Sequence, residues 1–364
     1  MRSRCSIAVA CLAVAAGVHA GLDARQAPAP AAGAIPIRGH LYMIQSPATN
    51  IVASIGRDGA LLVDSGLAAH ADQVLAVVRQ LQREVDLREQ PIGFGAETRS
   101  SVASRHVEPP PKPIRYILNT HAHAESVGAN ETLRLAGRTF TGGNVAGNIA
   151  DAAEGAAILA HENVARRLAA PPPGAEAAPP DAMPTDTYFN ATMKLSHFFN
   201  GEGIQLIHVP DAHTDGDSLV YFRGADVIAA GDVYSTVTYP IVDRQRGGTI
   251  NGVVGALNRI LALSIAEFRT EGGTLVVPGQ GRLSDSADVA YYRDMVTIIR
   301  DRVQAMIEQG MTLEQVKAAR PTADYDPRYG AESGAWTTAM FVEAVYATLG
   351  GGKAAPRRTP GRSE

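Results

Sequence analysis

The chain is a succession of short, unbroken apolar runs, each stopping at a polar, glycine-bearing or histidine-bearing turn, and this pattern limits its fold more than any other feature. The runs are Leu41–Ile44, Asn50–Ile55, Ala60–Asp64, Ile114–Leu118, Ile204–Val209, Ser218–Phe222, Val227–Ala230 and Thr274–Val277. Runs this short and this apolar read as strands. Arg57-Asp58-Gly59 is a hairpin turn between two of them. Helix-period stretches lie between the runs: Leu67–Glu84, with Val74, Val77, Val78, Leu81 and Val85 on one stripe, then Glu162–Leu168, Ile250–Leu263, Asp285–Gln309 and Leu313–Ala319. A closing helix over Ala335–Leu349 carries the only tryptophan, Trp336. Ala156–Ala160 fits either a strand or a helix. Strand clusters separated by helices, twice over, predict an α/β layering of two halves.

Composition supports a large packed core, with 45% hydrophobic and 19% charged residues. The formal charge is −4 and no basic block is present, which argues against a nucleic-acid partner. Both cysteines, Cys5 and Cys11, fall in the first twenty residues. Arg2 and Arg4, an apolar run from Ile7 to Val18 and the small-residue site Val18-His19-Ala20 predict a signal peptide over 1–20. The mature chain would then hold no disulfide and no thiolate metal site. It is expected to be periplasmic or secreted. No later run is long enough for a membrane span.

Residues 21–34 read as a flexible leader, 35–350 as the globular domain and 351–364 as a disordered tail. Segments 86–112 and 171–184 read as exposed loops, the second rich in Pro and Ala.

The chemistry concentrates at the ends of the apolar runs. Ile114–Leu118 runs into Asn119-Thr120-His121-Ala122-His123-Ala124-Glu125-Ser126. Two histidines one residue apart on a turn can aim at one cation, and neutral imidazole suits zinc. His213 follows a second run, Asp232 in Gly231-Asp232 a third, and Gln280 in Pro278-Gly279-Gln280-Gly281 a fourth. A layered sheet would bring all four to one rim, where rigid strands commonly mount catalytic loops.

These motifs, with Leu62-Val63-Asp64-Ser65-Gly66 ahead of them, resemble in type, order and spacing those of the metallo-β-lactamase superfamily, and in particular an exported branch with a long helical C-terminal extension. The resemblance implies a four-layer αβ/βα sandwich of two mixed β-sheets flanked by helices, with a C-terminal helical extension. It implies a first metal on His121, His123 and His213, with Asp232 shared between the two metal positions and Asp64 supporting the metal-binding loop. It departs from the family at the second metal. The family's His-x-His-x-Asp-His becomes His121-x-His123-x-Glu125-Ser126, and its final Pro-Gly-His-Gly carries Gln280. The first half-site is whole, while every ligand peculiar to the second has changed. Glu125 and Gln280 remain possible ligands, and Ser126 is a poor one.

The expected function is therefore an exported zinc-dependent hydrolase of small molecules with one ion. Metal-activated water would attack an ester, lactone or amide-type carbonyl. Glu125 would orient the water or take its proton, and Asp232 would bind the metal and orient the nucleophile. Two alternatives stay open: a two-metal β-lactamase-type hydrolase with substitute ligands, and an inactive metal- or ligand-binding protein on the same fold. Elsewhere, His161 reads as a solvated histidine at a helix start and His208 as a packed one. His40, His70, His106 and His197 read as surface residues. Asp215 and Asp217 read as turn formers, with Asp211 or Asp215 available to orient His213, and Glu131 as a helix-start acid. The stripe Val289, Tyr292, Val296, Ile299, Val303 and Met306 reads as core or a dimer face.

Overall fold

The computed structural model describes residues 33–89, 113–139, 155–171, 177–264 and 272–350. The first sheet follows chain order: β1 (Gly33–Arg38), β2 (Leu41–Gln45), β3 (Asn50–Gly56), β4 (Gly59–Val63), β5 (Ile114–Leu118), β6 (Ala157–His161) and β7 (Asp186–Tyr188). It is antiparallel through β4 and parallel from β4 to β7. The second comprises β8 (Thr192–Lys194), β9 (Ile204–His208), β10 (Ser218–Phe222), β11 (Val227–Ala229), β12 (Leu275–Val277) and β13 (Ser284–Asp285). Its order is β13-β12-β11-β10-β9-β8, with only β11 and β12 parallel.

The apolar runs of β2–β6 and β9–β12 are continuous because both faces of these strands are covered. On the inner faces Leu41, Met43, Val52 and Val63 of the first sheet share one core with Leu206, Val220, Phe222 and Val227 of the second. Alternate residues of the first sheet, such as Ile44, Ile51 and Leu62, pack outward on α1 (Ala71–Glu89). The short helices α2 (Ala124–Val127), α3 (Asn130–Leu135) and α4 (Glu162–Ala169) follow β5 and β6. Outside the second sheet, α5 (Ile250–Leu263), α6 (Ser286–Glu308), α7 (Leu313–Ala318), α8 (Asp326–Tyr329) and α9 (Thr338–Thr348) contribute to a third core with Ile207, Leu219 and Ile228. The order of layers is thus helix, sheet, sheet, helix, the sandwich the sequence implied. The stripe on α6 belongs to this core.

Several elements differ from the sequence expectation. Gly33 and Ala34, read as leader, already belong to β1. The first helix starts at Ala71 after a 3-10 turn at Ala68–His70, and it runs through Glu89, so 86–89 are helical. Ala156–Ala160 resolves as strand β6. The excursion 171–184 holds a 3-10 turn at Pro180–Ala182 that buries Ala182. Trp336 precedes α9, whose N-cap is Thr337. His161 is no solvated residue: it is 4% exposed, and its ring stacks on His208 at 3.7 Å. The expected signal peptide, most of the expected leader, His106, the rest of the 86–112 segment and the expected tail lie outside the described residues.

The two sheets are stitched at the rim where β4, β5, β9, β11 and β12 end. Asn50 Nδ2 donates to Pro278 O at 3.0 Å and to Gly281 O at 2.9 Å. Ser218 N–H donates to Thr120 O at 2.9 Å, and Asn50 N–H to Gly279 O at 2.7 Å. All the motifs singled out in the sequence sit on this rim.

Candidate metal centre

Each of three imidazoles is held by one ring nitrogen and leaves the other facing a common point. The first is His121, just past β5. Its Nδ1 lies 2.9 Å from Thr120 Oγ1, which donates to Asp64 Oδ2 at 2.8 Å. The Thr120 hydroxyl hydrogen is thereby committed, so His121 Nδ1 carries the proton and Nε2 the lone pair. His121 Nε2 is buried without a hydrogen-bond partner among the described residues.

The second is His123, which sets the start of α2. Its Nε2 is 2.9 Å from Asp243 Oδ2, and Asp243 also accepts from Arg246 Nη1 at 2.7 Å. The third is His213, which donates Nδ1–H to Ile241 O at 2.7 Å. The free nitrogens, His123 Nδ1 and His213 Nε2, face one another at 2.8 Å. His121, His123 and His213 together form a group able to hold one cation. Burial keeps His121 neutral, pulling its pKa down to about 3, and lowers that of His213. Neutral imidazole is the form that binds metal.

Carboxylates complete the centre. His121, Glu125 and Asp232 form a second overlapping group. His121 Nε2 is 3.9 Å from Glu125 Oε1 and 4.0 Å from Asp232 Oδ2. Asp232 sits in the 3-10 turn Gly231–Val233 after β11, and neither carboxylate oxygen has a hydrogen-bond partner among the described residues. Burial, reinforced by the charge of Glu125, pushes its pKa up to about 7. Burial also raises Glu125, but the neighbouring His121 outweighs it and brings the pKa down to about 2. An orphaned imidazole nitrogen beside an orphaned buried carboxylate is costly without a cation to share. The donor set of three imidazoles and a carboxylate suits zinc.

Asp64 supports the centre from beneath. It adopts φ 65°, rare for a residue with a side chain. That conformation lets its carboxylate accept from Thr120 N and Oγ1, both at 2.8 Å, and from Ser126 Oγ. Burial pushes its pKa up to about 7 against these three donors. Ser126 thus spends its hydroxyl on Asp64. Gln280 is placed by its main chain, with its carbonyl accepting from Thr236 N–H. Asp217 accepts from Thr214 N–H and Oγ1, both at 2.7 Å, and shapes the turn after His213. His213 is oriented by the Ile241 carbonyl, not by Asp211 or Asp215. Asp243 was not foreseen. Its only local signal is that of a turn, since its Oδ1 accepts from Gln245 and Arg246 N–H.

Comparison with known proteins agrees with this geometry. The sequence profile of the metallo-beta-lactamase superfamily matches residues 45–266. The chain belongs to that superfamily. Among solved structures it is similar to a double mutant of the sec-alkyl sulfatase PisA1, at 14% identity and a TM-score of 0.57 over 88% of this chain and 50% of that one. It is also similar to the inverting sec-alkylsulfatase Pisa1 from Pseudomonas sp., at 15% identity and a TM-score of 0.55 over 86% and 50% of the respective chains. This chain therefore spans about half the length of those sulfatases. A metallo-beta-lactamase from Pontibacter korlensis matches with 12% identity and a TM-score of 0.48 over 73% of this chain and 99% of that one. No curated protein matches the chain at a significant level.

Proposed function

We propose that this chain is an exported, zinc-dependent hydrolase of small molecules that works with one ion on His121, His123 and His213. The observation that carries this reading is the arrangement of the three imidazoles, each anchored through one nitrogen and presenting the other inward. A zinc ion there would supply a nucleophilic water at neutral pH and polarise a substrate oxygen. Glu125, partly open to solvent beside His121, would orient that water and accept its proton. Asp232, grouped with Glu125 beside His121, would bind the metal and orient the nucleophile. The attacked group is an ester, lactone or amide-type carbonyl. Lacking the family's second set of ligands, the site favours substrates with good leaving groups over β-lactams.

A single ion is favoured because Ser126 gives its hydroxyl to Asp64. The unpartnered oxygens of Asp232 favour a second, weaker cation shared with Glu125, and metal analysis separates the two readings. No described helix is long and apolar enough to cross a membrane. Export rests on the first twenty residues, and the N-terminus of protein recovered from the periplasm should be Gly21.

The deciding experiment measures the zinc content of the purified protein alongside hydrolysis of p-nitrophenyl acetate. About one equivalent of tightly held zinc with esterase activity supports the proposal. Two tight equivalents favour the two-metal reading. Metal-free protein that stays inactive when zinc is added overturns the hydrolase reading.

A further inference from the structure

A cavity of about 510 Å³ borders the candidate centre at His123. Its apolar wall comes from Ile241, Val242, Trp336, Met340 and Ala344. Trp336, Met340 and Ala344 belong to the C-terminal helical extension, so part of this wall is built by residues beyond the family match. That volume suits a small organic ligand.

The charges around the cavity are unequal in what they leave free. Asp243 is held by His123 and Arg246, and Glu343 pairs with Lys317 at 3.1 Å. Arg244 also lines the cavity, is exposed, and forms no ion pair with a described residue. Both acids are engaged and one guanidinium is available, so the complementary ligand is an anion. A guanidinium prefers a planar carboxylate, which it can bind through two donors.

The cavity wall is also fastened to the candidate ligands. Ile241 O accepts from His213 Nδ1–H at 2.7 Å, and Asp243 N–H donates to His213 O at 2.9 Å. A group seated against Ile241–Arg244 is therefore held at a fixed position relative to the imidazoles.

We propose that this cavity receives the non-reacting part of the substrate, and that it fits an apolar group about the size of a phenyl ring carrying a carboxylate for Arg244. The proposal rests on the hydrolase reading, for which it names the substrate class: an amphiphilic, anionic ester or lactone. Trp336 and Met340 select the apolar part, and Arg244 selects the charge.

Trp336 is the only tryptophan of the chain, so its fluorescence reports the cavity directly. The probes are 4-phenylbutanoate, its neutral amide and acetate, titrated into chelator-treated protein so that binding of carboxylate to zinc gives no signal. We expect 4-phenylbutanoate to change the emission saturably and acetate to leave it unchanged. The amide should bind about tenfold more weakly than the acid, and Arg244→Gln should weaken the acid to the level of the amide. Equal affinity for acid and amide, an unaffected Arg244→Gln variant, or an acetate response matching that of the acid would overturn the proposal. Hydrolysis of p-nitrophenyl acetate by the zinc-loaded protein is measured in parallel. Turnover without 4-phenylbutanoate binding overturns the cavity assignment and leaves the hydrolase reading standing. Binding with the expected charge dependence but without turnover supports the cavity and removes the hydrolase reading.

Discussion

Asp243 and His123 are 120 positions apart in the chain, yet Asp243 Oδ2 lies 2.9 Å from His123 Nε2. Asp243 also caps the 3-10 turn Arg244–Arg246 and accepts from Arg246 Nη1, so its carboxylate is held by contacts other than the imidazole. The pairing orients His123 and leaves its other ring nitrogen, Nδ1, facing inward.

Asp243→Ala should therefore lower zinc affinity roughly 10–100-fold while leaving the three histidines in place. Competition with a chromogenic chelator measures this. His121→Ala, His123→Ala or His213→Ala should each abolish tight binding in the same assay. Affinity unchanged in Asp243→Ala would show that His123 needs no such support.

Ser126 gives the opposite pattern. Because its hydroxyl donates to the buried Asp64, Ser126→Ala should cost stability of about 1–3 kcal/mol and leave zinc stoichiometry unchanged. Urea unfolding and metal analysis on one preparation read both. Loss of zinc without loss of stability would make Ser126 a ligand.

Gly279 lies where the two sheets meet beneath Asp232. A Cβ placed there would come 2.1 Å from Asp232 Oδ1 and 2.8 Å from the Gly231 carbonyl oxygen. Gly279→Ala should displace the Asp232 carboxylate and destabilise the protein by about 1–3 kcal/mol. Esterase activity should fall further than zinc content, because three imidazoles remain.

The stacked pair His161 and His208 makes stability depend on acid. Burial and the nearby His208 hold His161 down to about 4. The folded protein keeps it neutral where the unfolded chain, with an ordinary value near about 6.5, would protonate it. Stability is lost as pH falls from about 6.5 towards about 4, where the folded form begins to take up the proton as well. His161→Asn retains a side-chain acceptor for Asn163 N–H, the cap bond of α4. Its melting temperature should fall less than that of the wild type between about pH 7 and pH 4.5. Parallel curves for the two proteins would remove His161 as the cause.

The layers and rim were legible because strands covered on both faces leave unbroken apolar runs, and because those runs end where the loops begin. His121, His123, His213 and Asp232 were legible through their positions at those ends. Asp243 was not: it lies in a turn between β11 and α5, and nothing local distinguishes it from an ordinary cap. The stacking of His161 on His208 was hidden for a related reason. Each ends a strand of a different sheet, and only the packing of the sandwich brings the two rings together. Strands β7 and β8 are three residues each, too short for alternation to show. Trp336 fell inside an apolar stretch that reads as helix, whereas Thr337 caps the helix behind it.

The donors come in two incomplete instalments. His121, His123 and Glu125 follow a strand of the first sheet, while His213 and Asp232 follow strands of the second. Among the described residues neither half supplies the whole donor set. A cation bound by both would act as a rivet through the sandwich, so its binding free energy would add to the resistance of the sheets to parting. Melting temperature would then rise with free zinc concentration. Two separately expressed halves, divided in the 172–176 stretch between β6 and β7, would reassemble more readily with zinc than without it.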